Sequence, residues 1–264
     1  MARPTPLAPP RIPWGWAAAG IACGLVVALL AFPPARWLAH FVEGNTAGHV
    51  ILADARGTVW HGSAQLMLGG GAGSNDMVAL PTRVDWRIGL RPTGLVARIA
   101  SDCCTAQVLT LRLSPRWGGA HIAVSDSRST WPAALLTGLG TPWNTLQVEG
   151  DLELATQALS VEWVQDRLAI AGRAELTAQR LSSRLSTLRP MGSYRITVQG
   201  GATPAMQLET LEGSLQLAGS GQWVGSRLHF NGTASAAPER EGALANLLNI
   251  IGRRSGPRSI ITIG

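Results

Sequence analysis

Two periodicities divide the chain. Residues 14–32, WGWAAAGIACGLVVALLAF, carry no charge. A run of about 20 apolar residues spans the ~30 Å hydrocarbon core of a bilayer. Trp14 and Trp16 stand at one end of the run, Leu25 lies inside it, and Phe32 and Trp37 stand at the other. Indole rings favour the two headgroup levels. Pro33 and Pro34 then stop the helix. From Val50 onward the period falls to two. Val84, Trp86, Ile88 and Leu90 alternate with Arg83, Asp85 and Arg87; Leu146, Val148, Leu152 and Leu154 alternate with Gln147, Glu149, Asp151 and Glu153. Leu109, Leu111 and Leu113, then Leu168 and Ile170, then Tyr194, Ile196 and Val198, then Leu215 and Leu217 continue the pattern. This is the signature of antiparallel strands with one dry and one wet face.

Between the strands lie turn signals, at residues 69–71, 91–94, 117–119 and 200–201. LQVEGDLELA from Leu146 weakly repeats LETLEGSLQLAG from Leu208, and RLAIAGRAEL from Arg167 repeats RLHFNGTASA from Arg227. Each segment reads as a strand with a glycine inside it, which marks a bulge, a bend or a close approach. Short helices are predicted over 131–139, 181–188 and 239–252, the last with Leu244, Leu247, Leu248 and Ile251 at helical spacing and Gly252 as its stop. SIITIG closes the chain as a final strand. The expected fold is mainly β: an N-terminal transmembrane helix, then a curved, largely antiparallel sheet with a few short helices. The expected divisions are a cytoplasmic tail (1–13), an anchor (14–32), a juxtamembrane segment (33–49) and a β-rich domain (50–264).

Arg3 and Arg11 precede the apolar run, and Arg36 alone follows it closely. The positive-inside rule keeps the short tail in the cytoplasm and exports the rest. A cleaved signal peptide would have a shorter apolar core and a small-residue cleavage site. The length of the run and the sequence PPARW after it predict a retained anchor instead.

Composition narrows function mainly by exclusion. The net charge is +6 and every basic residue is arginine, but the arginines are scattered; only Arg253 and Arg254, with Arg258 nearby, approach a cluster. No nucleic-acid partner is expected. His40, His49, His61, His121 and His229 lie far apart, without zinc-helix spacing, and no metal, cofactor or small-molecule substrate is expected. Glu149, Asp151 and Glu153 read as the solvated face of a strand. Asn231, Gly232 and Thr233 read as a chance glycosylation pattern. Cys23 lies inside the apolar run; Cys103 and Cys104 could form a vicinal disulfide, or one could pair with another chain, but the preferred reading is that at least one is simply a small residue buried in a strand. Trp60, Trp86, Trp117, Trp131, Trp143, Trp163 and Trp223 read mostly as core-filling residues, with a docking surface as the functional alternative. Trp60, Trp86 and Tyr194 are singled out as core or interaction residues. No catalytic residues are identified, and the chain is read as a non-enzyme.

Several stretches together resemble one family, the N component of the bacterial type II secretion system. They are the short tail and single span; GTVWHGSA at 57–64, similar to a G-x-V-W-x-G-x-A stretch soon after the membrane; Leu80 and Pro81 before Val84, Asp85 and Trp86; PMGSYR at 190–195; and LLNIIGRR at 247–254. The adjacent cysteines are a departure from the family pattern. The resemblance implies a single-pass protein of the bacterial inner membrane with a periplasmic β-rich domain. It further implies an accessory role in exporting folded proteins through an outer-membrane secretin, alongside other inner-membrane components. A rival reading from the residues themselves is a membrane-tethered β-groove that binds or transfers lipid. The two readings divide on whether the domain's own helices fill the apolar sheet face.

Overall fold

The computed structural model describes residues 14–164 and 167–264. The tail expected over 1–13 lies outside the described residues. Helix α1 (Trp14–Ala31) is long and apolar enough to cross a membrane and buries none of its residues against the rest of the chain. After the two prolines, α2 (Ala35–Asn45) runs along the first strands.

The remainder is one antiparallel sheet of fifteen strands. The strands are β1 (Val50–Gly57), β2 (His61–Gly69), β3 (Met77–Arg91), β4 (Gly94–Ala100), β5 (Leu109–Arg116), β6 (Gly119–Val124), β7 (Ser127–Pro132), β8 (Val148–Val164), β9 (Arg167–Ser183), β10 (Gly192–Gln199), β11 (Ala205–Gly213), β12 (Leu215–Val224), β13 (Arg227–Ala236), β14 (Arg253–Ser255) and β15 (Arg258–Ile263). A 3₁₀ helix (Ala133–Leu139) and the single turn α3 (Trp143–Leu146) separate β7 from β8; α4 (Glu241–Ile251) precedes β14. Strand order follows chain order except that β6 and β7 both pair β8, and β15 sits between β13 and β14.

All the helices after α1 serve one face of this sheet. On β1–β3, Ala35 and Leu38 of α2 pack with Ala64 and Trp86. Leu135 of the 3₁₀ helix meets Leu80 and Val84. At the far end, Leu244, Leu247 and Leu248 of α4 join Leu152, Tyr194, Leu215 and Ala234 in the largest core cluster. Alternation along β8 puts Val148 and Leu152 into that core and leaves Glu149 exposed. Two bulges interrupt β8 and β9: Gly150 faces the irregularity at Arg180, and Gly172 faces the one at Ala158.

Three expectations need correction. Residues 181–188 are not a helix. β9 continues to Ser183, and the Ser183 and Ser186 hydroxyls accept hydrogen bonds from the Leu185 and Leu188 amides. Such local side-chain bonds compete with a helix, and Pro190 biases its predecessor toward extended backbone. Leu181, Leu185 and Leu188 still pack on the core, which accounts for their helix-like spacing. The segment predicted as helix from residue 131 is strand through Pro132 and 3₁₀ after it. Gly213 does not sit inside a strand but ends β11.

Cys103 and Cys104 are joined by a vicinal disulfide, the alternative to the preferred reading of at least one simple buried cysteine, although Cys104 is buried as that reading expected. They lie in the β4–β5 connection, not in a strand.

Tyr194, the one tyrosine of the chain, is 4% exposed, and its hydroxyl has no hydrogen-bond partner among the described residues. Burial pushes its phenol above the ordinary value. Folding therefore holds the phenol neutral, and the unfolded chain ionises first as pH rises. The contribution is full below about pH 10 and is lost above it. Tyrosinate absorbance should stay absent past that pH until the domain unfolds. Tyr194→Phe removes a buried unpaired hydroxyl and should be neutral or stabilising by up to about 1 kcal/mol in thermal melts. A tyrosinate signal in the folded protein at pH 10 would overturn this placement.

Candidate functional site

The segment joining β1 to β2 carries the most specific geometry in the chain. Gly57 ends β1 at φ +85°, and a Cβ there would lie 2.5 Å from the His61 carbonyl oxygen, so only glycine turns the chain at this point. Thr58 closes the turn, its amide donating to the His61 carbonyl at 2.7 Å. Gly62 then opens β2 beneath the Trp86 ring; a Cβ at Gly62 would come within 2.5 Å of Trp86 Cζ2 and 2.6 Å of the Arg56 carbonyl. Trp86 is 6% exposed, and its Nε1 donates to the Val59 carbonyl at 3.0 Å.

This turn grips the end of α1. The last carbonyls of a helix have no partner within it. Leu30 would ordinarily accept from the residue four ahead, but that residue is Pro34, which has no N–H. Trp60 supplies the missing donor, its Nε1 lying 3.2 Å from the Leu30 carbonyl oxygen. The Val59 amide donates to the Pro33 carbonyl at 2.8 Å, and Pro34 forms an antiparallel bridge with Thr58. The Ile88 amide donates to the Trp60 carbonyl at 2.7 Å, which ties β3 into the same joint. The end of α1 and the two prolines after it are thus bonded to the β1–β2 turn, and β3 holds that turn in place.

Charge reinforces the neighbouring pairing. Arg56 and Arg83 both reach the Asp54 carboxylate, at 2.6 and 2.9 Å. The hydrogen bond from Arg56, then that from Arg83, holds the Asp54 carboxyl below its usual range. Arg83 also donates to the Ser63 carbonyl, linking β3 to β1 across β2.

Of the residues singled out from the sequence, Trp60 and Trp86 meet in this joint. Tyr194 lies apart in the α4 core cluster. Trp14, Trp16, Leu25 and Phe32 are all exposed on or just past α1. The reading of the tryptophans as mostly core holds fully only for Trp86: Trp60, Trp131 and Trp223 are half-buried, and three are exposed. Trp117 is 97% exposed, Trp163 is 60% exposed, and Trp143 is at the edge of exposure. Trp117 occupies the β5–β6 turn. Trp163 is on the expected apolar face, but among the described residues no helix covers that part of the sheet.

That uncovered region is a surface the sequence reading missed. Leu90, Leu95, Leu113, Ile122, Val161 and Ile170 are successive cross-strand partners from β3 to β9 and form one apolar row. Leu90, Leu113 and Ile122 are exposed. The 3₁₀ helix and α4 cover the opposite end of the face, so the domain's own helices fill it only in part. Among the described residues, no three metal-ligating side chains come together.

The family model for type II secretion system protein N matches residues 49–261. The chain belongs to that family. The match spans the sheet from the start of β1 to β15 and includes the turn that holds α1. Membership ties the chain to type II secretion. No curated protein and no solved structure matches it.

Proposed function

We propose that this chain is a non-enzymatic accessory subunit of the type II secretion machine. α1 anchors it in the inner membrane, the sheet stands on the periplasmic side, and it works by contact with the machine's other inner-membrane components. The observation that carries this reading is the apolar row from Leu95 to Val161, which is a broad face with no helix over it among the described residues. Exposed apolar area of this kind marks an interaction site. The test is Leu113→Arg combined with Ile122→Arg. Both side chains are exposed, so the melting temperature should hold, while co-purification of the other inner-membrane secretion components and export of secreted proteins should be lost. Unchanged co-purification and export would overturn the reading.

One observation favours a second reading, in which the row receives a lipid acyl chain: the row lies at the end of the sheet to which α1 is joined. On that reading, lipid extracted with the purified full chain would be depleted in the same double variant while co-purification of proteins persisted.

A further inference from the structure

The turns β1–β2, β3–β4, β5–β6 and β12–β13 all lie at one end of the sheet, because each strand in this series reverses the one before it. The β1–β2 turn is the one bonded to the last turn of α1. The chain leaving α1 bridges Thr58 antiparallel to β1, so it climbs beside β1 as β1 descends toward this rim. β3 continues from Arg87, the partner of His61, for four further residues to Arg91. At ~3.3 Å per residue, the β3–β4 tip reaches about 13 Å past the end of β2. It does so in the direction of α1.

The residues on this rim have the chemistry of a membrane interface. Leu90 is 72% exposed at the β3–β4 tip, and Trp117 stands free at the β5–β6 tip. On the sheet face opposite the helices, Arg87 and Arg98 are direct cross-strand partners, and Arg112, Arg91 and Arg116 follow on the same face toward the β3–β4 and β5–β6 tips. Like charges placed directly opposite repel. The acids nearest these arginines are Asp85 and Glu162; Asp54, Asp151, Glu153 and Glu175 lie further along the same face and pair with other arginines. Among the described residues Arg87, Arg91, Arg98 and Arg112 form no ion pair, and Arg116 reaches Glu162 only at 4.0 Å. Nothing in the fold accounts for such a pairing. An anionic surface across the rim does, since arginine binds phosphate oxygens through a planar fork, while indole and leucine side chains enter the headgroup layer.

We infer that this rim is a second membrane contact: Leu90 and Trp117 enter, and Arg87, Arg91 and Arg98 bind the phosphates of, the anionic bilayer that α1 enters. The inference rests on the reading of α1 as an anchor. With the contact made, the sheet is held at two places and its apolar row faces along the membrane surface.

The test uses the full chain reconstituted in bilayers that contain an anionic phospholipid. A nitroxide is placed at the native Cys23, or at Trp117→Cys or Asn75→Cys in a Cys23→Ala background, and its collisions with oxygen and with a nickel chelate are read. Asn75 is exposed in the β2–β3 turn at the opposite end of the sheet. The label at 117 should meet the nickel chelate several-fold less often than the label at 75, and Arg87→Gln with Arg98→Gln should raise that access. A label at 117 as wet as the one at 75, with Cys23 in hydrocarbon, overturns the inference, leaves the anchor intact and frees the rim for a protein partner. A wet label at Cys23 overturns the anchor itself. Access at 117 that ignores both the arginine substitutions and removal of the anionic lipid overturns the phosphate contact.

Discussion

Leu152→Asp should leave no folded domain. Leu152 is 8% exposed and packs in the cluster built from Leu146, Val148, Tyr194, Leu215 and the α4 leucines. An aspartate there either carries a buried charge with no partner or is forced to protonate. Either outcome costs several kcal/mol on top of the leucine packing that the substitution removes. That is a large share of the roughly 5–15 kcal/mol that stabilises an ordinary domain. Elsewhere on the same strand the outcome should differ. Glu149 is exposed, with Arg189 at 3.7 Å, so Glu149→Gln should change stability by less than about 0.5 kcal/mol. Glu153 is more enclosed, accepts from Gln179 and pairs with Arg128 at 2.8 Å, so Glu153→Gln should cost about 1 kcal/mol. Circular dichroism and thermal melts separate these cases. Similar losses from all three changes would mean that the two faces of β8 have been exchanged.

Trp86→Ala should be the second most damaging change, at about 3–5 kcal/mol. It empties the centre of the cluster under α2 and frees the Val59 carbonyl in the turn that holds α1. Gly62→Ala should approach the same phenotype from the other side, because the added methyl meets the Trp86 ring and the Arg56 carbonyl together; overpacking of this kind costs about 1–3 kcal/mol. Trp60→Phe should be far milder. It keeps a ring but removes the donor to Leu30, which is worth about 0.5–1.5 kcal/mol. Its effect belongs to the joint, so it should appear as increased mobility between a label on α1 and one on β2, with little change in melting of the sheet. Equal destabilisation by Trp60→Phe and Trp86→Ala would show that Trp60 is ordinary core.

The features legible in the sequence were those with a strong local period. The charge-free run before Pro33, the alternation in β3 and β8, and the spacing of Leu244, Leu247 and Leu248 each named its element. The glycines of GTVWHGSA suggested a bulged or bent strand around an aromatic, but the stretch is the turn between β1 and β2. Its grip on Leu30 was not legible, because that bond depends on Pro34 lacking an N–H and on Trp60 folding back over 30 residues. The segment 181–188 misled because its leucines do face the core, but serine hydroxyls satisfy its backbone in place of a helix. Trp163 does lie on the apolar face, beside Ile122. Alternation could not say that α4 and the 3₁₀ helix stop short of them, since coverage depends on where distant elements land. The basic face of the rim was invisible for a similar reason: Arg87 and Arg98 become neighbours only through the β3–β4 register.

The order of strands in the sheet has a consequence for how the chain is made. From β1 to β6, and again from β8 to β13, each strand's partner is the one synthesised just before it. A chain emerging with α1 first can therefore add strands one at a time to a growing edge, with Trp60 and Trp86 closing the first template beside α1. Little non-native pairing has to be undone, and loop closure stays short for most strands. The late exceptions are β14 and β15: after α4, the chain lays β14 first, and β15 then pairs both it and β13. A truncation before residue 241 would then leave β13 as an open, unprotected edge, the kind of strand that recruits another chain.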